Sequence, residues 1–147
     1  VSPPSPLRVA GQGDLTDLVD ASCQMQLEET GVGVSPFDVD NFRRASLAQI
    51  ASGRCWVLRD PLDGRLMFRA TVAPAAPEVA QIEGVFVPPP FRGSGVATAA
   101  LGELCRRLLD RHGCVALSVG EGNAAALAVY RKLGFTDLGE YQTLHVA

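Results

Sequence analysis

The spacing of apolar positions divides the chain into stretches of helical period and of strand period. Leu7–Ala10 reads as a short first strand. Leu15, Leu18, Val19, Ser22 and Cys23 then recur at helical spacing behind Asp14, a fair N-cap; the helix they predict runs to about Glu29. Gly31-Val32-Gly33-Val34 breaks it. Ser35-Pro36 restarts helix, with Ser as N-cap, Pro in the first turn and Asp38 in the place of the usual Glu. Val39, Phe42, Ser46 and Ile50 trace one face of this second helix, and Gly53 closes it.

The period then changes. Cys55–Arg59 and Arg65–Val72 are strand-like and are joined by Asp60-Pro61-Leu62-Asp63-Gly64, whose Asp-Gly is a strong hairpin signal. Pro74 and Pro77 mark the next turn, and Val79–Val87 is the expected third strand of an antiparallel meander. Its second half, Ile82–Val87, is apolar with one carboxylate, Glu83. Pro88-Pro89-Pro90 ends it, because proline lacks the amide proton a ladder needs. Arg92-Gly93-Ser94-Gly95 opens a helix whose stripe is Val96, Ala100, Leu101, Leu104, Cys105 and Leu108, ending near Gly113. Val115–Val119 follows a helical crossover, so it is expected parallel to the Val79–Val87 strand. Asn123 then caps a helix over Ala124–Leu133 that stops at Gly134, and Phe135–Leu138 and Tyr141–Val146 are strand-like. The order β-α-α-β-β-β-α-β-α-β-β implies an α+β domain on one mixed sheet.

Composition narrows the class. At 147 residues the chain has the size of one domain, and 47% hydrophobic with 20% charged residues is globular rather than disordered. Residues 1–6, Pro-rich and polar, read as a flexible tail, and 7–147 as a single domain. The first residue is Val1, so a processed chain or a fragment is expected. A net charge of −3 offers no electrostatic case for nucleic acid, and no apolar run approaches the roughly 20 residues of a membrane span. Cys23, Cys55, Cys105 and Cys114 form no C-x-x-C pair, and His112 and His145 complete no convincing zinc set with them. Reduced, mostly buried thiols and a cytoplasmic location are expected.

The candidate chemistry lies where the Ile82–Val87 strand meets the Gly-rich turn. Unpaired amides at a helix N-terminus, the positive dipole end and glycines that admit close approach make an anion site. Arg92-Gly93-Ser94-Gly95-Val96-Ala97 fits the R/Q-x-x-G-x-G/A signature of the GNAT superfamily of acyl-CoA-dependent N-acyltransferases. The run from Asn123 through Ala126, Tyr130 and Lys132 to Gly134-Phe135 resembles that superfamily's second signature, N-x-x-A-x-x-x-Y-x-K-x-G-F. The order of elements is similar from about residue 7 to the end. Val79-A-Q-I-E-G-V-F-V-P-Pro89 also resembles the C-terminal half of a group of bacterial proteins with two GNAT-like halves, which points to a missing N-terminal partner domain.

The resemblance implies a GNAT fold, with strands 4 and 5 of a mixed sheet splayed apart and about four flanking helices. It implies acetyl-CoA as co-substrate, no metal, and transfer of an acetyl group to a primary amine of a small molecule or protein by direct attack. Gly93, Ser94, Gly95, Val96, Ala97 and Thr98 would cradle the coenzyme pyrophosphate, with Arg92 adding a charge-assisted contact. Val85, Phe86 and Val87 would pair with the pantetheine arm, and the Val87 amide, or its neighbour's, would hold the developing oxyanion. Tyr130 would protonate the departing sulfur, since a phenol near pKa 10 is protonated at neutral pH. Asn123, two helical turns earlier on the same side, and Ala126 complete the coenzyme set; Asn123 also reads as a plain N-cap. Glu83 would serve as general base, or take part in a structural ion pair. Alternation places it on the face of Val85 and Val87, unless a strand bulge resets the parity.

The acceptor site would be framed by Glu28–Phe37 and by the last strands near Glu140 and Tyr141. Glu28 and Glu29 either attract a cationic amine or form a solvated helix end. Pro90, where an acidic residue often stands, and Ser94, where Lys or Arg is frequent, depart from the family wording. The expected partners are acetyl-CoA and an amine acceptor, with neither nucleic acid nor membrane; a homodimer or the missing N-terminal GNAT-like domain stays open. One alternative is a non-catalytic acyl-CoA-binding regulatory or structural domain. A Rossmann reading of Gly93-x-Gly95 fails at Thr98 and at Ala116–Ser118, which supplies no acidic residue.

Overall fold

The apolar stretches assemble into one seven-stranded mixed sheet with helices on both faces. The computed structural model describes residues 6–118, 124–137 and 143–146, with backbone alone for 74–76, 118, 124–127, 137 and 143–146. The strands are β1 (Arg8–Val9), β2 (Cys55–Arg59), β3 (Leu66–Ala76), β4 (Val79–Phe86), β5 (Cys114–Ser118), β6 (Thr136–Asp137) and β7 (Thr143–Val146). The helices are α1 (Leu15–Thr30), α2 (Pro36–Ala51), α3 (Val96–Leu109) and α4 (Ala124–Lys132). The sheet order is β1-β2-β3-β4-β5-β7-β6. The β2–β3–β4 meander is antiparallel, and α3 crosses over so that β5 runs parallel to β4, as the sequence implies.

Each face of the sheet has its own core. On one face Phe68, Ala70, Ile82, Val115 and Leu117 pack beneath Leu101 and Leu104 of α3, with Tyr130 of α4 in the same cluster. On the other face Val57, Leu66 and Phe86 pack against Leu18 and Ala21 of α1, with Met25 and Ile50 at the margin. Cys55 and Cys105 are buried and unpaired, and Cys23 and Cys114 are half-buried.

Helix ends follow local chemistry. Gly31 adopts φ 71° and stops α1, its amide donating to the Leu27 carbonyl. Ser35 and Asp38 form the expected reciprocal capping box on α2. Asp14 departs from expectation. It stands at the start of α1 but in helical conformation, and its side chain does not cap that helix. Its carboxylate instead accepts from the Gly11 amide at 2.8 Å and pairs with Arg8 at 2.8 Å and Arg59 at 2.9 Å. Burial opposes that charge, but these three partners more than offset it and hold the carboxyl at about 2.

One strand boundary and one strand register also differ. β3 runs through Pro74 rather than turning there: Pro74 pairs with Ala80 and Ala76 with Val79. The paired β2 residues end at Cys55, opposite Thr71, so Pro74 lies on an open edge where a missing amide proton is tolerated. β4 carries a bulge. Thr71 pairs with Glu83 but Arg69 with Phe86, so three steps on β4 oppose two on β3. Gly84, at φ +56°, takes up the extra residue.

Candidate active site

The bulge decides what the exposed end of β4 presents. Pairing with β5 covers Val79–Ile82, opposite Cys114–Leu117. Among the described residues, Glu83 to Phe86 pair with β3 alone, which is where the splay between strands 4 and 5 is expected. Past the bulge, Val85 and Val87 pack on the α3/α4 side, whereas Phe86 turns to the α1/α2 side. Glu83 therefore does not share a face with Val85 and Val87, contrary to simple alternation. It lies on the Phe86 side and is exposed, with no ion pair among the described residues. The structural ion-pair reading of Glu83 has no support there.

Beyond β4, Pro89–Phe91 forms a single 3-10 turn, and Gly93 and Gly95 adopt φ 78° and 84°. Gly95 is the N-cap of α3, so the helix opens at Val96 and not at Arg92. Left-handed conformation at both positions explains why glycine stands there. A Cβ built on either would meet nothing within 4 Å, so the space above the turn is open. The first-turn amides of α3 have no intrahelical acceptor. Val87, Arg92, Gly93, Gly95, Ala97 and Thr98 are among the residues lining a recess of about 170 Å³ at this turn. Backbone amides and open volume thus fit a pyrophosphate.

A larger cleft of about 440 Å³ adjoins it, lined by Val85, Val87, Ala97, Tyr130, Glu28 and Glu29 among others. Tyr130 is 8% exposed, its ring 6.0 Å from that of Phe135, and burial raises its phenol above the usual value near 10. It stays protonated through neutral pH, as a proton donor must. Arg92 does not stand free over the turn. Its Nε donates to the Val87 carbonyl at 2.8 Å, its Nη2 pairs with Glu28 at 2.7 Å, and its guanidinium lies 5.4 Å from the Phe86 ring centre. Glu28 and Glu29 sit in the last turn of α1 at the mouth of the cleft. Glu28 is thus bound to Arg92 rather than simply solvated.

Asn123, Glu140 and Tyr141 lie outside the described residues, and of Ala126 only the backbone in α4 is described. The structure brings together the turn, the freed end of β4 and Tyr130. It adds two residues that were not singled out from the sequence, Met25 and Arg69. Met25 lines the cleft from α1. Arg69 interrupts the apolar run Leu66-M-F-R-A-T-Val72, the same signal that drew attention to Glu83.

The fold and site define a class, the N-acyltransferases built on a split sheet. Similar folds are found in spermidine N-acetyltransferase from Vibrio cholerae, solved with CoA and spermine (17% identity, TM-score 0.76, covering 95% of this chain and 93% of that one). Ribosomal-protein-alanine N-acetyltransferase from Brucella melitensis is likewise similar (21%, 0.73, 95% and 96%). So is an N-acetyltransferase from Staphylococcus aureus Mu50 (16%, 0.77, 95% and 96%). An uncharacterized N-acetyltransferase of Methanocaldococcus jannaschii is 39% identical over 61 residues, a stretch that covers 41% of this chain and 27% of that protein. The acetyltransferase (GNAT) family model matches residues 22–135, and the chain belongs to that family.

Proposed function

We propose that this chain transfers an acetyl group from acetyl-CoA to a primary amine by direct attack within a ternary complex. One observation carries the reading: the Gly93–Gly95 turn borders a recess that adjoins the cleft lined by Val85 and Val87, the buried Tyr130 and two carboxylates. Acetyl-CoA supplies an acetyl group activated as a thioester.

The residues divide the work. Amides of the turn from Gly93 to Thr98 hold the pyrophosphate, as in the family's first signature, with Asn123 and Ala126 from the second signature assigned to the same coenzyme. Val85–Val87 is assigned to the pantetheine arm, and the Val87 amide, or its neighbour's, to the carbonyl oxygen as it gains charge. The amine nitrogen forms the new bond to the carbonyl carbon while the carbon–sulfur bond breaks. Tyr130 gives its phenolic proton to sulfur, producing the CoA thiol. The proton lost by the amine passes through water to a carboxylate, with Glu83 assigned as base from the α1/α2 side. Glu28 and Glu29 attract the ammonium form of the acceptor to the cleft.

The direct test is CoA release with acetyl-CoA and a panel of primary amines. Amine-dependent release is expected. Tight acetyl-CoA binding with no release by any amine sinks catalysis and leaves a coenzyme-binding module.

A further inference from the structure

Behind the cleft, on the α1/α2 face, lies a second cavity of about 400 Å³ with Arg69 on its floor. Met25, Gln26 and Glu29 of α1 and Phe42 and Gln49 of α2 are among its walls. Met25 and Glu29 also line the first cleft, so the two spaces share a wall. Arg69 is 7% exposed. Its Nη2 reaches Met25 Sδ at 3.2 Å, and its Nε has no hydrogen-bond partner among the described residues. Burial lowers its pKa, the Cys55 thiol beside it acts in the opposite sense by charge and by a side-chain hydrogen bond, and no carboxylate pairs with it among the described residues.

A guanidinium keeps its charge in any protein, and a buried charge without a counter-ion is strongly unfavourable. Arg92 and Arg59 are arranged differently: Arg92 has Glu28, and Arg59 has Asp14 and Asp17. The strand is also shaped to seat this side chain. A Cβ on Gly84 would come within 3.1 Å of Arg69 Nη2, so the bulge glycine leaves the room that the guanidinium fills. A planar cation that lines a cavity and has no carboxylate partner among the described residues matches a carboxylate. Glu29, on the wall shared with the cleft, matches the ammonium end of the same molecule.

We infer that Arg69 binds the carboxylate of the acceptor, and that the acceptor is a small aminocarboxylate whose amine enters the cleft past Met25 and Glu29. The identity of the ligand as an acceptor rests on the acetyl-transfer reading; the anion site itself does not. A polyamine has no group for Arg69 and would meet its positive charge.

The test compares common L-α-amino acids, β-alanine and γ-aminobutyrate with their carboxamides, and with spermidine. Thermal midpoint is read without acetyl-CoA and CoA release with it. At least one aminocarboxylate is expected to raise the midpoint and to be used with a KM at least about tenfold below that of its amide, the scale of one charged hydrogen-bonded contact. Arg69→Met is expected to bring the acid-to-amide KM ratio near one and to abolish the carboxylate-dependent midpoint shift; Arg69→Lys should restore part of both. Acids and amides that behave alike in the wild type overturn the site, as does a preference that survives in Arg69→Met or a lack of response to every carboxylate. CoA release by spermidine and amides without acid preference would sink the anion site and leave acetyl transfer standing. A carboxylate-dependent shift without CoA release would sink acetyl transfer and leave the anion site standing.

Discussion

Tyr130 and Arg69 illustrate two opposite uses of burial. Desolvation raises the Tyr130 phenol, which keeps its proton available at neutral pH. The role assigned to it acts only as the sulfur departs, so losing the hydroxyl should leave coenzyme binding intact. Tyr130→Phe is expected to lower kcat by about 10²-fold or more, within the range for general acids. The acetyl-CoA Kd, measured by calorimetry, should stay unchanged. Equal turnover in the variant would remove Tyr130 from the proton path. Arg69 is buried with no carboxylate paired to it among the described residues, which is why it reads as a binding group rather than a structural one. Glu83 is a charge in an apolar strand, yet it is exposed, and the strand charge buried in three dimensions is Arg69. Sequence pattern marks the charge; only the register says which side of the sheet receives it.

At the scale of elements, the β4 bulge and the Asp14 cluster set positions that periodicity does not reveal. The meander, the parallel crossover and the Gly-rich helix start were legible because strand and helix spacing, the Asp-Gly hairpin and the glycine signature are local signals. The bulge was not, because Gly84 shifts the parity without altering the apolar pattern around it. Gly84→Ala should destabilise the chain by about 1–2 kcal/mol, the cost of a left-handed non-glycine residue, and crowd Arg69 as well. Urea denaturation checks this, and an unchanged midpoint would mean the bulge relaxes freely. Asp14 fits a helix cap by its place in the sequence, but it accepts from the Gly11 amide and, through Arg8 and Arg59, ties β1 and β2 to the start of α1. Its folded pKa, about 2, lies below the unfolded value near 3.8, so its contribution is present above about pH 4. That contribution is lost as pH falls through the folded value. Asp14→Asn should cost about 1–3 kcal/mol at pH 7, the worth of charge-assisted bonds, and should flatten the stability loss between about pH 4 and 2. An acid limb of the same steepness in the variant would assign that loss to other carboxylates.

For the molecule as a whole, the sheet separates two halves, and residues of both line the cleft beside the far end of β4. The α3/α4 side carries the open turn and Tyr130, and the α1/α2 side carries Glu28, Glu29, Met25 and Arg69. The Glu28–Arg92 pair ties the end of α1 to the loop before the turn, so both halves border the same opening. A ligand bound across that opening stabilises the folded chain by mass action, since the unfolded chain has no turn and no splay. Acetyl-CoA at one hundred times its Kd should contribute about 2.7 kcal/mol, or about 8 °C in Tm for a domain of this size. Gly95→Val, which places a β-branched residue at φ 84° and fills the open space over the turn, should remove most of that shift while also lowering the ligand-free Tm. The informative quantity is therefore the ligand-induced difference within each protein, read by calorimetry across a coenzyme titration. A full shift in Gly95→Val would move the pyrophosphate off this turn, and with it the alignment that brings the thioester to Val87 and Tyr130.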